Sequence, residues 1–264
     1  MTQTSTLGTA LVTGAGKRLG RAMAIGLAER GYDVAVHYAG SEADAANTVE
    51  ACKVYGGRAQ SFQADLLDQA ATEALVPQVA EAMGPIRVLV NNASVFEYDT
   101  IESATAESWD RHMGSNLRAP LFLTQAFAAQ VPEAPLDANG EPIAAGLVVN
   151  MVDQRVRKLT PEFMTYTLAK MGLWAFTQTA ARGLAPRIRV NAIGPGPTMI
   201  GARQSEEHYA NQRAGTVLKR GSSPEGIVKA LMYFLDADDV SGQLICVDGG
   251  QHLAWQTPDI QGVE

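Results

Sequence analysis

The sequence lacks any apolar run long enough to span a membrane, and residues 1–8 have neither the basic nor the apolar segment of a signal peptide. We therefore expect a cytoplasmic protein without a membrane partner. Cysteine is scarce as well: Cys52 lies in a helical pattern and Cys246 in an apolar strand pattern. This placement predicts two buried thiols rather than a disulfide, and two cysteines alone cannot form a zinc site.

Metal-ligand clusters and basic stripes are also missing. His112, His208 and His252 have no companions at ligand spacing, so we expect no metal site. A net charge of −7 and an isoelectric point near 5.2 argue against a nucleic-acid partner. What remains is a composition of 46% hydrophobic and 19% charged residues, typical of a globular protein. Without an internal repeat or a low-complexity linker, residues 1–264 are predicted to form one domain.

Short apolar runs alternate with longer amphipathic segments along the chain. The predicted strands are 10–12, 34–36, 88–90, 147–149, 188–190 and 244–247, with a weaker one near 58–62. The predicted helices lie near 19–30, 41–55, 68–83, 105–130, 163–185 and 223–236. Uniformly apolar strands are covered on both faces, so the pattern predicts a doubly wound α/β domain of Rossmann type, with about seven parallel strands. The stretch 132–146 looks like a surface insertion, and the irregular stretch 198–219 lies where substrate lids tend to occur.

A glycine-rich turn follows the first strand directly and precedes a helix. Its predicted cofactor-binding residues are Gly14, Lys17, Arg18, Leu19 and Gly20. Glycines let the backbone turn tightly and approach a pyrophosphate, whose charge then lies at the helix N-terminus. The position of this turn in an alternating α/β chain therefore favours a dinucleotide cofactor over a simple loop.

The end of the second strand carries no acid to bind a ribose 2′-hydroxyl. His37, Tyr38 and Ser41 stand there instead, with Lys17 and Arg18 nearby in the first turn. Cations and a hydroxyl suit a 2′-phosphate, so we predict that the cofactor is NADP(H). The alternative for His37 is a solvated strand end without a ligand.

Tyr166 and Lys170 lie one turn apart on a predicted helix. A cation close to a phenol favours the phenolate and lowers its pKa from about 10, which makes the pair a candidate proton donor. The alternative is a tyrosine and a lysine on an exposed helix face.

Together these residues make the chain closely resemble the short-chain dehydrogenase/reductase family over nearly its whole length. The supporting residues, in order, are the turn at 13–20, Asp65, Asn91-Asn92-Ala93, Asn116, Tyr166, Lys170 and Pro195-Gly196. The resemblance implies that Tyr166 is the acid/base, that Lys170 holds the nicotinamide ribose and that Asn116 supports a water-linked proton path. It also implies that Asp65 meets the adenine and that Asn92 borders the nicotinamide with the Pro195-Gly196 turn. Leu66, Ala93 and Ser94 are further predicted cofactor-binding residues.

Two departures from the family pattern point in one direction. Arg18 replaces the usual middle glycine of the turn, and Asp153 replaces the usual serine thirteen residues before the tyrosine. Within the family, pteridine reductases and dihydromonapterin reductases are similar in both respects. In those enzymes an aromatic residue at the position of Phe96 stacks on the pterin, so Arg18, Ser94, Phe96, Asp153 and Tyr166 become the predicted substrate-binding residues. The alternatives are a rim aromatic for Phe96 and a local turn residue for Asp153.

The resemblance thus implies an NADPH-dependent reductase of a pterin or dihydropterin. One alternative is a carbonyl reductase acting on a ketone, a 3-oxoacyl thioester or a sugar, and another is a non-catalytic NADP(H)-binding sensor. Trp174 and Phe176 are expected in the core or a subunit interface. By analogy with related enzymes we expect a homotetramer, in which Trp255 is an interface residue.

Overall fold

The strands are apolar along their full length because both faces of the sheet are covered by helices. In the computed structural model, which describes residues 7–201 and 204–255, seven parallel strands pair in the order β3-β2-β1-β4-β5-β6-β7. The strands are β1 (Thr9–Val12), β2 (Asp33–Tyr38), β3 (Ala59–Gln63), β4 (Ile86–Asn91), β5 (Gly146–Met151), β6 (Ile188–Pro195) and β7 (Leu244–Val247). This architecture confirms the predicted doubly wound α/β fold.

Eight α-helices connect or follow these strands in the described part of the chain. They are α1 (Arg18–Glu29), α2 (Glu42–Lys53), α3 (Gln69–Met83), α4 (Ala106–Met113), α5 (Ala119–Gln130), α6 (Met164–Leu184), α7 (Glu206–Ala214) and α8 (Pro224–Asp236). The single helix predicted for 105–130 is two helices, because a π-helical turn at Gly114–Arg118 separates α4 from α5. Helix α7 lies in the stretch predicted to be irregular. The sequence did not predict it because none of its residues is buried and the segment has no apolar periodicity.

Two apolar layers enclose the sheet. On one face, Met23, Leu27 and Phe234 are fully buried, and on the other Leu123 and Phe127 are. The strand order reverses its direction between β1 and β4, so the loops after these two strands diverge and leave a crevice at the carboxyl edge. Residues that follow different strands can therefore meet there.

Several other expectations are tested by the fold. Cys52 is a buried free thiol as predicted, whereas Cys246 is also free but only half-buried. Trp174 and Phe176 are half-buried against a small cluster around Leu173, so they are partly in the core. Trp255 is exposed, and the residues after it lie outside the described part of the chain. Among the described residues, no helix could cross a membrane and no acidic, cysteine or histidine cluster could hold a metal.

Candidate active site

The glycine turn lies between β1 and α1 at the carboxyl edge of the sheet. Gly14 has a φ of +61°, and a Cβ there would lie 3.0 Å from the Cα of Ala93. A Cβ on Gly20 would lie 2.2 Å from the Gly14 carbonyl oxygen, so helix α1 packs on the turn only with glycine at this position. No described side chain caps the N-terminus of α1, and its first turn contains no acid. Its free N–H groups suit the phosphates of a dinucleotide.

His37 does not lie at an exposed strand end. It is buried under the glycine turn, where its Nδ1 accepts a hydrogen bond from the Gly14 amide at 3.0 Å and its Nε2 lies 3.0 Å from the Ala64 carbonyl. Accepting at Nδ1 places the ring proton on Nε2, which donates to Ala64. The alternative of a solvated strand end is therefore wrong, and cofactor binding by His37 stays a prediction. Its position supports the turn from below.

Burial lowers the pKa of His37 to about 4 from an ordinary value of 6.5, so the imidazole is neutral near pH 7. The unfolded chain takes up a proton near pH 6.5, whereas the folded chain does so only near pH 4. The contribution of His37 to stability is therefore complete above pH 6.5 and lost as the pH falls toward 4, by about 3 kcal/mol at about 1.4 kcal/mol per pKa unit.

Urea unfolding of the wild type and of His37→Asn between pH 4 and pH 8 tests this expectation. Asparagine retains an acceptor for the Gly14 amide but does not titrate. The free energy of unfolding of the wild type should therefore fall more steeply below pH 6.5 than that of the variant. If the free energies of unfolding of the two proteins change equally with pH, His37 has the same pKa in the folded and unfolded states, which contradicts the expectation.

Asn92 holds the turn through its side chain, and its place beside the nicotinamide stays a prediction. Its side-chain amide donates to the carbonyls of Thr13 and Gly14, at 2.8 Å and 3.2 Å. The Thr13 hydroxyl oxygen accepts from the backbone amides of Asn92 and Ala93, at 2.8 Å and 2.9 Å. Thr13 was not a predicted site residue, although its position at the end of β1 beside the turn is readable from the sequence. These bonds lock the loop after β4 onto the loop after β1.

The two cations of the turn point in different directions. The Lys17 ammonium pairs with the Asp44 carboxylate in α2 at 2.8 Å, beside the end of β2. Arg18 has a φ of +53°, and its guanidinium donates to the carbonyls of Met199 and Ile200, at 3.2 Å and 2.8 Å. Arg18 thus contacts the loop after β6, and its pairing with a 2′-phosphate stays a prediction.

The other predicted cofactor residues lie along the same edge. Tyr38 and Ser41 are half-buried between β2 and α2, and the Asp65 carboxylate accepts from the Leu67 amide at 3.0 Å. Leu66 is mostly buried in the core, and Leu19 packs on the opposite apolar layer. Gly196 follows Pro195 at the end of β6, where a Cβ would lie 2.6 Å from the Cα of Asp248. Cofactor contact by these residues stays a prediction.

Tyr166 and Asp153 are directly hydrogen-bonded. The phenol donates to Asp153 Oδ2 at 3.0 Å, and Lys170 Nζ donates to the Met151 carbonyl at 2.7 Å, lying 5.6 Å from the centre of the Tyr166 ring. Strand β5 delivers Asp153 and helix α6 delivers the other two side chains. Three of the four predicted catalytic residues, Asp153, Tyr166 and Lys170, therefore lie together.

The pKa of the phenol is not lowered, contrary to the sequence-based expectation. Burial and the negative Asp153 carboxylate raise the pKa of Tyr166 well above its ordinary value, although the Ser94 hydroxyl acts in the other direction. Burial raises the pKa of Asp153 and lowers that of Lys170 to about 8. Tyr166 is therefore a neutral proton donor at neutral pH, with a carboxyl group of increased proton affinity next to it.

Asn116 lies in the π-helical turn and is fully buried. Its side-chain amide donates to the Val95 carbonyl at 2.8 Å, and its side-chain oxygen accepts from the Val95 amide at 2.9 Å. These bonds occupy its side chain with the loop that carries Ser94 and Phe96. Asn116 therefore holds this loop in place, and its support of a water-linked proton path stays a prediction.

Phe96 is half-exposed beside the tyrosine, on an aromatic wall that includes Phe163. The Phe96 and Phe163 rings stack with centroids 4.4 Å apart and planes 8° apart, and Phe96 meets Tyr166 edge to face at 4.7 Å. The Arg155 guanidinium lies 4.7 Å from the centre of the Phe163 ring. Phe163 and Arg155 were not predicted site residues. The left-handed backbone of Phe163 gives no sequence signal, since only glycine announces that conformation.

The segment after β6 is anchored along part of its length. The Tyr209 hydroxyl donates to the Thr198 carbonyl at 2.8 Å, and Arg213 donates to the carbonyls of Pro197 and Ser222, at 2.9 Å and 2.7 Å. Helix α7 thereby fastens the start of the stretch 198–219. The Arg18 contacts described above place this segment beside the glycine turn. Tyr166 lies at the same edge of the sheet.

Comparisons with known proteins agree with this architecture. Residues 8–210 match the family model described as short chain dehydrogenase. A crystal structure of FolM alternative dihydrofolate reductase 1 from Brucella suis in complex with NADP is 41% identical, with a TM-score of 0.89, and the match covers 96% of this chain and 98% of that one. The landomycin C-6 ketoreductase LanV with bound NADP and rabelomycin is 30% identical, with a TM-score of 0.81, over 94% and 97% of the two chains. A 3-oxoacyl-acyl-carrier-protein reductase from Staphylococcus aureus is 31% identical over 92% of this chain and 98% of its own.

Proposed function

Because this chain belongs to the short-chain dehydrogenase family, we propose that its reaction is the NADPH-dependent reduction of a pterin or dihydropterin ring. The coarser statement is established: the chain is an NADP-dependent oxidoreductase of this family, with similar enzymes that bind NADP. The choice of a pterin or dihydropterin as the substrate depends on one observation, the hydrogen bond from the Tyr166 hydroxyl to the Asp153 carboxylate.

A carboxylate at this position favours a nitrogen heterocycle over a ketone. A serine hydroxyl donates to a carbonyl oxygen and stabilises the alkoxide that forms as hydride arrives, whereas an ionised aspartate cannot donate and opposes that charge. The same carboxylate can accept from the N–H groups of an amino-pyrimidinone edge. The similarity to an alternative dihydrofolate reductase supports this choice of substrate class.

When bound, NADPH would supply a hydride, while the residues of this chain handle the proton and the orientation of the substrate ring. Tyr166 holds its proton because its pKa is raised, so it can donate to a ring nitrogen that gains charge only as hydride arrives. Asp153, whose own pKa is raised by burial, lies 3.0 Å from the same oxygen and orients the Tyr166 hydroxyl by accepting its hydrogen bond. Phe96 offers a flat aromatic face to the substrate ring, and Lys170, anchored on Met151, lies beside Tyr166.

A crystal structure with NADP and a bound pterin tests this arrangement. The pterin should stack on Phe96, with a ring nitrogen within hydrogen-bond distance of Tyr166 and its amino-pyrimidinone edge toward Asp153. A pterin found away from Phe96 and Tyr166 in a cofactor-loaded crystal would contradict the proposal.

A carbonyl reductase is the second candidate. The similarity to a ketoreductase and to a 3-oxoacyl-acyl-carrier-protein reductase favours it, at 30% and 31% identity. Asp153 counts against it, for the electrostatic reason given above. A catalytically inactive sensor is opposed by the intact Tyr166, Asp153 and Lys170 group.

The preference for NADPH over NADH is assigned to Lys17 rather than to Arg18. The ribose 2′ group of a dinucleotide lies at the end of β2, where Lys17 reaches α2. Lys17→Ala should therefore raise KM for NADPH by about tenfold, the equivalent of about 1.4 kcal/mol, and change KM for NADH by less than about twofold.

Steady-state kinetics with both cofactors measure this effect. Lys53→Ala is the matched control, since it also removes an exposed lysine that pairs with a carboxylate on α2, and it should leave both constants unchanged. An equal loss with both cofactors in Lys17→Ala would contradict the assignment.

A homotetramer in the cytoplasm completes the proposal. Leu168 and Met171 are partly exposed on α6, and Leu121 is partly exposed on α5. A second copy of this chain is the partner proposed for these apolar side chains, and light scattering of the purified protein would measure the number of subunits.

A further inference from the structure

A buried chain of polar side chains lies behind the aromatic wall and takes no part in the chemistry above. Its members are Asp99, Thr165 and His112, which are 2%, 3% and 0% exposed. We call these three residues the Asp99 relay. Asp99 comes from the loop after β4, His112 from helix α4 and Thr165 from the first turn of α6. Three separate segments therefore meet in one hydrogen-bonded group.

The direction of each hydrogen bond in the relay follows from one backbone amide. The Glu97 amide donates to His112 Nε2 at 3.1 Å, so the ring proton of the neutral imidazole is on Nδ1. Nδ1 lies 2.7 Å from Thr165 Oγ1 and donates to it, with the Ser108 carbonyl as a further acceptor. The Thr165 hydroxyl in turn donates to Asp99 Oδ2.

The carboxylate at the end of the relay is well supplied with donors. Asp99 Oδ1 accepts from the Thr165 amide at 3.2 Å, and Oδ2 also accepts from the Ser108 hydroxyl at 3.1 Å. Burial opposes the charge, but these hydrogen bonds outweigh it and hold the pKa of Asp99 below its ordinary value. Burial lowers the pKa of His112, so the imidazole is neutral at neutral pH. Asp99 is thus a buried anion whose partners fix the positions of two other segments.

The segments that the relay joins carry both aromatic rings of the wall. Phe96 is one residue before Glu97, whose amide binds His112, and Phe163 is two residues before Thr165. Phe163 has a φ of +56°, a left-handed conformation that costs about 1–3 kcal/mol for such a residue and persists only when its surroundings impose it. The backbone amides of the next two residues hold Phe163 in this conformation. The Met164 amide donates to the Asp99 carbonyl at 3.3 Å, and the Thr165 amide donates to the Asp99 carboxylate at 3.2 Å.

We propose that the Asp99 relay positions the substrate ring, by fixing the Phe96 loop against the start of the helix that carries Tyr166. Thr165 and His112 are then positioning residues. The His112 ring also meets the Tyr166 ring edge to face, with centroids 5.9 Å apart. This inference rests on the proposed function only in taking Phe96 as the surface on which the substrate stacks.

Thr165→Val and Thr165→Ser form a matched pair for the kinetic test. Valine keeps the shape of threonine but removes the hydroxyl, while serine keeps the hydroxyl. With the substrate that the wild type turns over best, Thr165→Val should raise KM by about tenfold or more, because the Phe96 face on which the substrate ring stacks loses its fixed position. The Kd for NADPH should stay within about twofold of the wild type, and Thr165→Ser should restore KM to within about threefold.

Two kinetic results would overturn the inference. One is an unchanged KM in Thr165→Val, and the other is an equal loss of NADPH affinity, which would indicate general damage to the fold. If Thr165→Val does not fold, Asp99→Asn takes its place, since it keeps the shape of the carboxyl and removes its charge. The same rise in KM at constant NADPH affinity is then expected, and its absence overturns the inference.

A nuclear magnetic resonance measurement of the ring nitrogens tests the relay without any substrate. In the wild-type protein near pH 7, His112 should be neutral with its proton on Nδ1, and Thr165→Ser should retain this tautomer. A proton on Nε2, or a charged imidazolium, in the wild type would overturn the inference. Because no pterin is present, this result stands or falls separately from the proposed reaction.

Discussion

Tyr166→Phe should lower kcat by about two orders of magnitude or more, the usual effect of removing a positioned proton donor. Phenylalanine keeps the ring that packs edge to face on Phe96 and beneath the Lys170 ammonium. The fold and the affinity for NADPH should therefore survive. The measurement is steady-state turnover together with NADPH binding in the same preparation.

Tyr233→Phe is the control for this substitution. Tyr233 lies half-exposed on α8, away from the carboxyl edge, and it too loses only a hydroxyl. It should leave turnover unchanged. A Tyr166→Phe enzyme with near wild-type kcat would mean that the proton comes from another group.

Asp153→Ser should remove pterin reduction, with a loss in kcat/KM of about two orders of magnitude, and create weak ketone reduction. The substitution deletes the carboxylate that accepts from Tyr166 and introduces a hydroxyl that can donate to a carbonyl oxygen. The ratio of the two activities should therefore shift toward the ketone. Kinetics with both substrates in the same buffer measure that ratio.

Asp239→Ser provides the matched control for Asp153→Ser. Asp239 is exposed between α8 and β7, at the opposite end of the strand from the site. It should change neither activity. If Asp153→Ser retains full pterin turnover, the aspartate is a bystander and the proposed substrate class loses its main support.

The arrangement of the site along the sheet follows from the sequence because parallel strands end at one edge. Alternation of apolar runs and helices predicts the sheet, so the turn after β1, Asn92 after β4 and Asp153 after β5 must come together. The spacing from Tyr166 to Lys170 predicts that both lie on one helix face, as they do. These inferences use only the hydrophobic periodicity of the sequence and the positions where strands end, which are local properties of the chain.

The individual contacts were less predictable because they depend on residues distant in sequence. Arg18 reaches carbonyls about 180 positions later, and a guanidinium on a long side chain gives no sign of its direction. His37 looks exposed at a strand end, yet the register of β2 with β3 places Ala64 beside it and buries the ring. The side chains of Asn92 and Asn116 satisfy backbone groups of neighbouring loops, which their positions in the sequence do not indicate. The pKa of Tyr166 depends on the balance of burial against charge, which a sequence does not contain.

The most direct test of the central claim compares two substrates with the wild-type enzyme and NADPH. The account predicts that kcat/KM for a dihydropterin exceeds that for an acetoacetyl thioester by at least about tenfold, since each 1.4 kcal/mol of preferential transition-state stabilisation gives a factor of ten. The preference should come from the carboxylate of Asp153 and its bond to Tyr166. A wild-type enzyme that reduces the thioester faster than the dihydropterin would contradict the account.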